Sequence, residues 1–254
     1  MSRYISPVLY ILLMLVGCMA FISIAGVRVG LFEPSTGFTM LRESVFASLI
    51  LSVLAIGSLG VCRKENNIAG QRFFILVLTV SLVYSSMWIV FYVQKSGLPK
   101  INDITTDIDT PPSYMNVSFI RKTKENDVSY NEGFASIQHK YYPEIQPLFT
   151  HLDKANVYLA ISELVEKRDW EVVANYSQVG VIEATARTPV FGFRDDVVIR
   201  VMQVEDDQVR VDMRSSSRTG GGDFGVNAER IRDFMKDLSE SLNKSFMPKM
   251  SSVR

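Results

Sequence analysis

The amino-acid sequence predicts a membrane-anchored α+β protein, in which three transmembrane helices precede a domain with a four-stranded antiparallel sheet packed by two helices. Three observations support this prediction. Long uncharged runs occur within residues 1–95, the remaining chain has a soluble composition, and it contains strand-like runs between two amphipathic segments. The chain has 27 basic and 27 acidic side chains. This balance gives no whole-chain reason to expect a nucleic-acid partner.

The predicted anchor, residues 1–95, contains three runs without an ionised side chain, at residues 7–27, 44–62 and 73–93. Each run has about 20 residues, and a helix of this length crosses the ~30 Å hydrocarbon core of a lipid bilayer. The absence of charge inside the runs disfavours a transporter, a channel or a proton relay. The three spans are therefore expected to hold the rest of the chain at a bilayer.

Basic residues between the second and third spans predict the orientation. Arg63, Lys64 and Arg72 lie in this short loop, and short basic loops stay in the cytoplasm. The C-terminal domain is then expected on the other side, which is the periplasm for a bacterial inner membrane. The sequence that ends at Cys18 also resembles a lipoprotein processing site, but the apolar run continues past it, which favours an uncleaved span.

The C-terminal half is expected to contain two parts. Residues 96–150 are predicted to form an extended irregular segment that is partly packed on the domain, because Pro, Asn and Asp are frequent there and no periodicity is visible. Residues 151–254 predict an α-β-β-β-β-α core, with a first helix from about Leu152. The expected strands are residues 170–176, 179–188, 196–204 and 208–215, and the last helix would bury Ile231, Phe234, Leu238 and Leu242.

The third and fourth expected strands also carry a prediction of register. A short loop between them would pair Val201 with Val211 and set Arg200 opposite Asp212. Opposite charges across a strand pair are stabilising, whereas a shift of two residues would bring Arg200 against Arg214. The pattern predicts a hairpin with an apolar core face and a charged outer face.

The most distinctive stretch runs from the fourth strand through a glycine-rich loop into the last helix. Glycines expose backbone N–H groups and a helix N-terminus adds positive potential, so this stretch could bind a phosphate or carboxylate. The alternative, which we favour, is that Asp223 or Asn227 caps the helix and the arginines pair with nearby carboxylates. The residues of the candidate anion site are Arg214, Ser215, Ser217, Arg218, Gly221, Asn227 and Arg230.

The sequence predicts no catalytic residues, cofactor or metal. Serines 215–217 have no histidine in a position that would activate them, and no Cys/His spacing predicts a metal site. Asp107 and its acidic neighbours could ligate a hard cation, but Asp and Asn before proline are more typical of turns. Glu183 could form a carboxylate pair with Asp195 or Asp196, as many domains of this size allow. An enzyme is therefore the less favoured class.

Several separated motifs together resemble the uncharacterised DUF1499 family. They are Ile-Asn-Asp-Ile-Thr-Thr-Asp at 101–107, Ile-Glu-Ala-Thr at 182–185, and the stretches 192–200 and 214–230. The resemblance covers roughly residues 98–245. It implies a protein of a bacterial envelope or a plastid, in some members preceded by membrane helices, and it implies no assigned activity.

Two functional hypotheses follow. The first is a non-enzymatic envelope module that binds or scaffolds a partner protein, or an anionic ligand such as a lipid headgroup, beside the membrane. The second is a hydrolase or transferase that acts on cell-envelope material through Ser215, Ser217 or acidic side chains. The Arg/Gly-rich stretch and the missing catalytic constellation favour the first hypothesis.

Overall fold

The computed structural model describes residues 2–204 and 207–246. The chain divides into two compact units. One contains Met1–Gly97 together with Pro189–Gly192, and the other contains Leu98–Thr188 and Phe193–Arg254.

Three long helices form the first unit: α1 (Ser2–Arg28), α2 (Pro34–Lys64) and α3 (Ile68–Lys95). Each is long and apolar enough to cross a membrane, with mean hydropathies of 2.6, 2.4 and 2.2. The prediction of three apolar helices is therefore confirmed. Helix α2 begins well before the predicted uncharged run, because Pro34 has a backbone angle suited to the first helical turn.

Small side chains bring α2 and α3 close together. Ser48 Oγ donates to the Ser81 carbonyl at 3.1 Å, and Ser44 Oγ lies 2.6 Å from Tyr84 Oη. Both Ser44 and Ser48 are buried in the structure. Small residues let helix backbones approach closely in an apolar environment, where hydrophobic burial does not drive association.

The second unit contains a six-stranded antiparallel sheet, so the prediction of four strands was wrong. The strands are β1 (Asp103–Thr105), β2 (Leu148–Thr150), β3 (Glu171–Tyr176), β4 (Val181–Arg187), β5 (Arg194–Gln203) and β6 (Val209–Ser217). Their order in the sheet is β1-β6-β5-β4-β3, and β2 also pairs with β6. The four longer strands correspond to the predicted ones, whereas β1 and β2 have 3 residues each and are too short to show an alternating pattern.

The predicted register of the β5–β6 hairpin is confirmed. Val201 pairs with Val211, and Arg200 lies opposite Asp212. Residues 205 and 206 of the predicted loop lie outside the described residues. The charged face of the hairpin is not an outer face, however, because Asp212 is 0% exposed and accepts hydrogen bonds from Arg200 and Thr106.

An apolar core lies between the other face of the sheet and two helices, α6 (Lys154–Lys167) and α7 (Val226–Phe246). Both helices were predicted, and Asp153 caps α6 by accepting from Ala155 N. Trp170 stacks on Phe234 with ring centroids 5.5 Å apart. The buried residues of α7 include the four that its periodicity predicted, Ile231, Phe234, Leu238 and Leu242.

The charged face of the sheet is covered by residues 106–130, which we call the covering segment. The covering segment contains one short helix, α4 (Val117–Ile120), and the next helix, α5 (Gly133–Tyr141), begins after the segment ends. Tyr114 Oη donates to the Asp196 carbonyl of β5 at 2.7 Å. The sheet is thus buried on two faces, one apolar and one polar.

Replacing Phe234 by alanine should lower the free energy of unfolding by about 3–5 kcal/mol, because a large side chain that is 0% exposed leaves a cavity. Leu159→Ala is the matched control, since Leu159 lies in α6 and is 58% exposed, and a change within about 0.5 kcal/mol is expected. Urea unfolding of the full chain in detergent, followed by near-ultraviolet circular dichroism, measures both. Equal losses would contradict the core position of Phe234.

Candidate functional site

A buried carboxylate, Asp196 of β5, lies at the centre of the charged face and is 0% exposed. Arg218 donates to both of its oxygens, from Nη2 to Oδ1 at 2.9 Å and from Nε to Oδ2 at 3.0 Å. Arg121 of the covering segment donates from Nε to Oδ2 at 2.7 Å, and Thr185 Oγ1 donates to Oδ1 at 2.8 Å. These charge-assisted bonds join the covering segment, two strands and the loop after β6.

Arg214 of β6 forms a second buried ion pair on the same face. Its Nε and Nη2 donate to the two carboxylate oxygens of Asp103 at 2.9 and 2.7 Å. The guanidinium carbon lies 4.9 Å from the ring centroid of Tyr114 and 5.4 Å from that of Tyr130, within the range of cation–π attraction. Burial raises the pKa of Asp103, although the hydrogen bond and charge of Arg214 act in the opposite direction. Burial also raises the pKa of Tyr130 to about 12, so its phenol stays neutral.

Two carboxylates and two guanidinium groups alternate at the other end of the charged face. Arg200 lies 3.1 Å from Asp107 and 2.9 Å from Asp212. Arg210 bridges the same two acids at 2.6 and 2.9 Å. The charges balance, and Asp107 thereby fastens the start of the covering segment to β5 and β6.

A separate polar cluster lies on the helix face of the sheet, at the end of β6. Ser215 Oγ donates to Asn227 Oδ1 at 2.6 Å, and Asn227 Nδ2 donates to Ser217 Oγ at 2.8 Å. Arg230 of α7 donates to Ser215 Oγ at 2.9 Å and to Asp195 Oδ2 at 2.5 Å. This cluster satisfies the buried polar groups where α7 begins to cross the sheet.

The residues of the predicted anion site are divided between the two faces. Ser215, Ser217, Asn227 and Arg230 are brought together on the helix face, whereas Arg214 and Arg218 lie on the charged face and Gly221 lies in an exposed loop. The carboxylates of Asp103 and Asp196 pair with the two buried arginines. The anion site stays a prediction, and an anion at Arg214 or Arg218 would have to compete with these carboxylates.

The alternative interpretation of the glycine-rich stretch, in which Asp223 or Asn227 caps the last helix, is confirmed for Asp223. Asp223 accepts hydrogen bonds from Gly225 N and Asn227 N at 2.8 Å each, which is the capping role expected at the start of α7. Burial raises the pKa of Asp223, although the hydrogen bonds from Asn227 and Gly225 act in the opposite direction. The backbone of this loop is therefore engaged by the chain's own carboxylate.

Neither serine has the surroundings of a nucleophile. The hydrogen bonds of Ser215 and Ser217 go to Asn227 and Arg230, and none of these partners is a base at neutral pH. Asp195 faces α7, whereas Glu183 and Asp196 both face the covering segment, where their carboxylates accept hydrogen bonds from different partners. Within residues 2–204 and 207–246, no group of three His, Cys, Asp or Glu side chains could hold a metal ion.

The sequence did not reveal the role of Glu183, which is 0% exposed in β4. Its carboxylate accepts hydrogen bonds from the backbone N–H groups of Met115, Asn116 and Val117, the last two at 2.9 and 2.8 Å. Asn116 Nδ2 also donates to Tyr176 Oη at 2.8 Å. Glu183, on the sheet, therefore fixes the start of α4, where a helix N-terminus favours negative charge.

The fixed turn exposes large apolar side chains. Phe119 is 84% exposed, Met115 48% and Ile120 44%. We call these three residues the apolar turn. A Phe-Ile pair followed directly by basic residues, within an otherwise polar segment, was the sequence signal for it.

A cavity of about 290 Å³ lies between residues 106–109, α5 and residues 145–147. The charged side chains Asp107 and Arg210 in its lining pair with each other at 2.6 Å. Gln138, also in the lining, donates from Nε2 to the Thr105 carbonyl at 2.6 Å and accepts from Thr105 N at 3.0 Å, so it acts as a strand neighbour for β1. Three of the polar side chains in the lining, those of Asp107, Arg210 and Gln138, are thus engaged in holding the fold.

Asp196→Asn should lower the free energy of unfolding by about 3–5 kcal/mol, because it leaves the charges of Arg121 and Arg218 buried without a carboxylate. Glu171→Gln is the control, since it breaks an ion pair with Arg187 whose side chains are 53% and 66% exposed, and a loss below about 1 kcal/mol is expected. Chemical unfolding in detergent compares them. If both variants lost the same small amount, Asp196 would not hold the charged face together.

Acid should destabilise the protein partly through Asp107. Burial alone would raise the pKa of Asp107, but hydrogen bonds from Thr110 and the charge of Arg210 hold it below the ordinary value of 3.8. The unfolded chain then binds this proton first, so the stability contributed by the carboxylate is present above the ordinary pKa and is lost as pH falls through the folded value. Asp107→Asn should therefore flatten the loss of stability between about pH 5 and pH 3.

The measurement for Asp107 is the denaturation midpoint as a function of pH, in wild type and in the variant. Asp109→Asn, at an exposed neighbouring position, is the control and should keep the wild-type slope. A wild-type slope in Asp107→Asn as well would show that this carboxylate does not contribute to the acid sensitivity.

The family model described as protein of unknown function (DUF1499) matches residues 103–238. The match begins in β1, contains the other five strands and ends within α7. It includes the buried pairs of Asp103 with Arg214 and of Asp196 with Arg218. No curated protein matches the chain. Because the matched region is more than half of the chain, the protein belongs to the DUF1499 family of proteins of unknown function.

Proposed function

We propose that this protein is a membrane-anchored binding module whose domain contacts its partner through the apolar turn of Met115, Phe119 and Ile120. The observation that carries the proposal is the combination of exposure and support. Phe119 is 84% exposed, and the backbone beside it is held by a Glu183 carboxylate that is 0% exposed.

Exposing these side chains has a cost that a contact would remove. Full burial of a phenylalanine side chain is worth about 1.5–3 kcal/mol relative to leaving it in water. Grouped apolar side chains with a polar rim are typical of interaction sites, whereas single exposed apolar residues are ordinary. The three members of the apolar turn are all exposed within six consecutive residues, 115–120, with the polar residues Asn116 and Ser118 between them.

The first unit supports a location at a membrane. Its helices α1, α2 and α3 have the length and composition of membrane spans. Only Ser96 and Gly97 separate the end of α3 from the second unit. A residue spans at most about 3.6 Å, so a membrane-inserted α3 would keep Leu98, the first residue of the second unit, near the bilayer surface.

The proposal includes the orientation that the basic loop between α2 and α3 predicts, with the domain on the periplasmic side of a bacterial inner membrane. The partner is an envelope protein or an anionic ligand such as a lipid headgroup. A hydrolase or transferase has less support, because the hydroxyl groups of Ser215 and Ser217 bind Asn227 and Arg230.

Site-specific photo-crosslinking in native membranes tests the proposal. A benzophenone amino acid in place of Phe119 should give a discrete adduct with a protein or lipid partner, because this side chain would lie at the contact. The matched control is the same amino acid at Leu159, which is apolar, 58% exposed and in a helix on the opposite face of the sheet. Equal labelling at both positions would exclude the apolar turn as a contact surface.

Glu183→Gln should loosen the apolar turn without removing any of its side chains, because an amide has one oxygen to accept the three backbone N–H groups that the carboxylate holds. Amide hydrogen exchange at residues 115–117 should become at least about tenfold faster, and the yield of crosslinking at position 119 should fall. Glu171→Gln, at an exposed ion pair, should change neither. Unchanged exchange in Glu183→Gln would show that Glu183 does not hold the turn.

A further inference from the structure

We infer that the apolar turn binds the lipid bilayer itself, with Phe119 and Ile120 in the boundary between headgroups and acyl chains. This inference rests on the proposed function and names the partner of the same surface. It is carried by the size of the turn, the charges beside it, its attachment to the sheet and the length of the tether.

The size of the apolar turn fits a lipid surface better than a protein partner. A stable protein interface uses roughly 20–30 residues a side, with a buried centre and a polar rim. The apolar turn offers three large side chains, Met115 before α4 and Phe119 and Ile120 within it, and Phe119 is the most exposed. A few large aromatic and aliphatic side chains together with nearby basic residues are typical of segments that enter a membrane interface.

Basic side chains come directly after the turn, before the acidic residues Glu125 and Asp127. Lys122 and Lys124 are exposed, whereas Arg121 between them and the turn is buried against Asp196. The next acidic residue, Glu125, accepts a hydrogen bond from the backbone N–H of Lys122. Lysines beside an inserted apolar side chain are attracted to anionic headgroups within about one Debye length.

Both ends of the turn are fastened to the sheet, so little order would be lost on insertion. Glu183 holds its start through three backbone N–H groups. Arg121, directly after Ile120, holds its end through Asp196 at 2.7 Å. A contact surface that is already in its bound conformation has a smaller entropic cost of binding.

The tether makes weak insertion sufficient. Only Ser96 and Gly97 lie between α3 and Leu98, so a bilayer crossed by α3 would lie close to the point where the second unit begins. Linkage raises the effective concentration of a second contact when the linker lets that contact reach its site. Three apolar side chains, too few to bind a membrane firmly by themselves, can then remain inserted for much of the time.

Depth-dependent fluorescence quenching of the full chain in lipid vesicles tests this inference. Cys18 and Cys62 are first replaced by serine, and Phe119→Cys is labelled with an environment-sensitive fluorophore. In vesicles of phosphatidylcholine and phosphatidylglycerol, spin-labelled lipids with the nitroxide near the headgroup should quench it at least threefold more than a label at Leu159→Cys. Equal quenching at the two positions would overturn the inference.

A separate experiment tests the contribution of Lys122 and Lys124. Lys122→Glu with Lys124→Glu should reduce the quenching at position 119 at least twofold in vesicles that contain phosphatidylglycerol. In vesicles of phosphatidylcholine alone, the same substitutions should have little effect, since the surface carries no net charge. A loss of equal size in both vesicles would overturn the electrostatic part of the inference.

The two proposals fail in different ways. A protein adduct at position 119 in native membranes, without quenching in vesicles, would overturn lipid binding and leave the binding module intact. An absence of both adduct and quenching would overturn both. Quenching in vesicles that contain no other protein, together with lipid adducts in native membranes, is the result expected here. Thermal unfolding of each variant checks that the label and the substitutions leave the fold unchanged.

Discussion

The buried carboxylate of Asp196 is the interaction on which the rest of the domain depends. It joins Arg121 of the covering segment, Arg218 after β6 and Thr185 of β4. A charge that is 0% exposed is tolerated only when its hydrogen-bonding capacity is filled by opposite charge and polar groups. Asp196 therefore requires the covering segment to lie on the sheet in one position, and that position determines where the apolar turn is exposed.

The two faces of the sheet are covered through different interactions, apolar packing on one and ion pairs on the other. On one face, residues such as Val211 and Met213 pack against α6 and α7, and burial of apolar area stabilises the contact. On the other face, Asp103, Asp196 and Asp212 pair with arginines under the covering segment. Ion pairs of this kind add little net stability compared with apolar packing, but each requires a specific partner. The polar face thus selects one arrangement of an otherwise irregular segment.

This arrangement connects the family motifs to the apolar turn. The stretch 101–107 supplies Asp103 and Asp107, which fasten β1 and the start of the covering segment. The stretch 182–185 supplies Glu183 and Thr185, and Asp196 belongs to the stretch 192–200. The motif residues that appeared suited to chemistry hold the covering segment, while the apolar turn, which we propose as the contact surface, lies in residues 115–120, between the motifs.

The sequence by itself determined the elements that follow local periodicity: the three apolar helices, the four longer strands, the buried side of α7 and the register of Arg200 with Asp212. In these elements each residue's environment is set by neighbours a few positions away or across a short loop. Only the tertiary structure decided the partners of the buried arginines, the two short strands and the support of the apolar turn. These depend on pairs such as Arg214 with Asp103, 111 residues apart, and Arg121 with Asp196, 75 apart. Side chains so distant have no common period, and their pairing follows from the folded position of the covering segment.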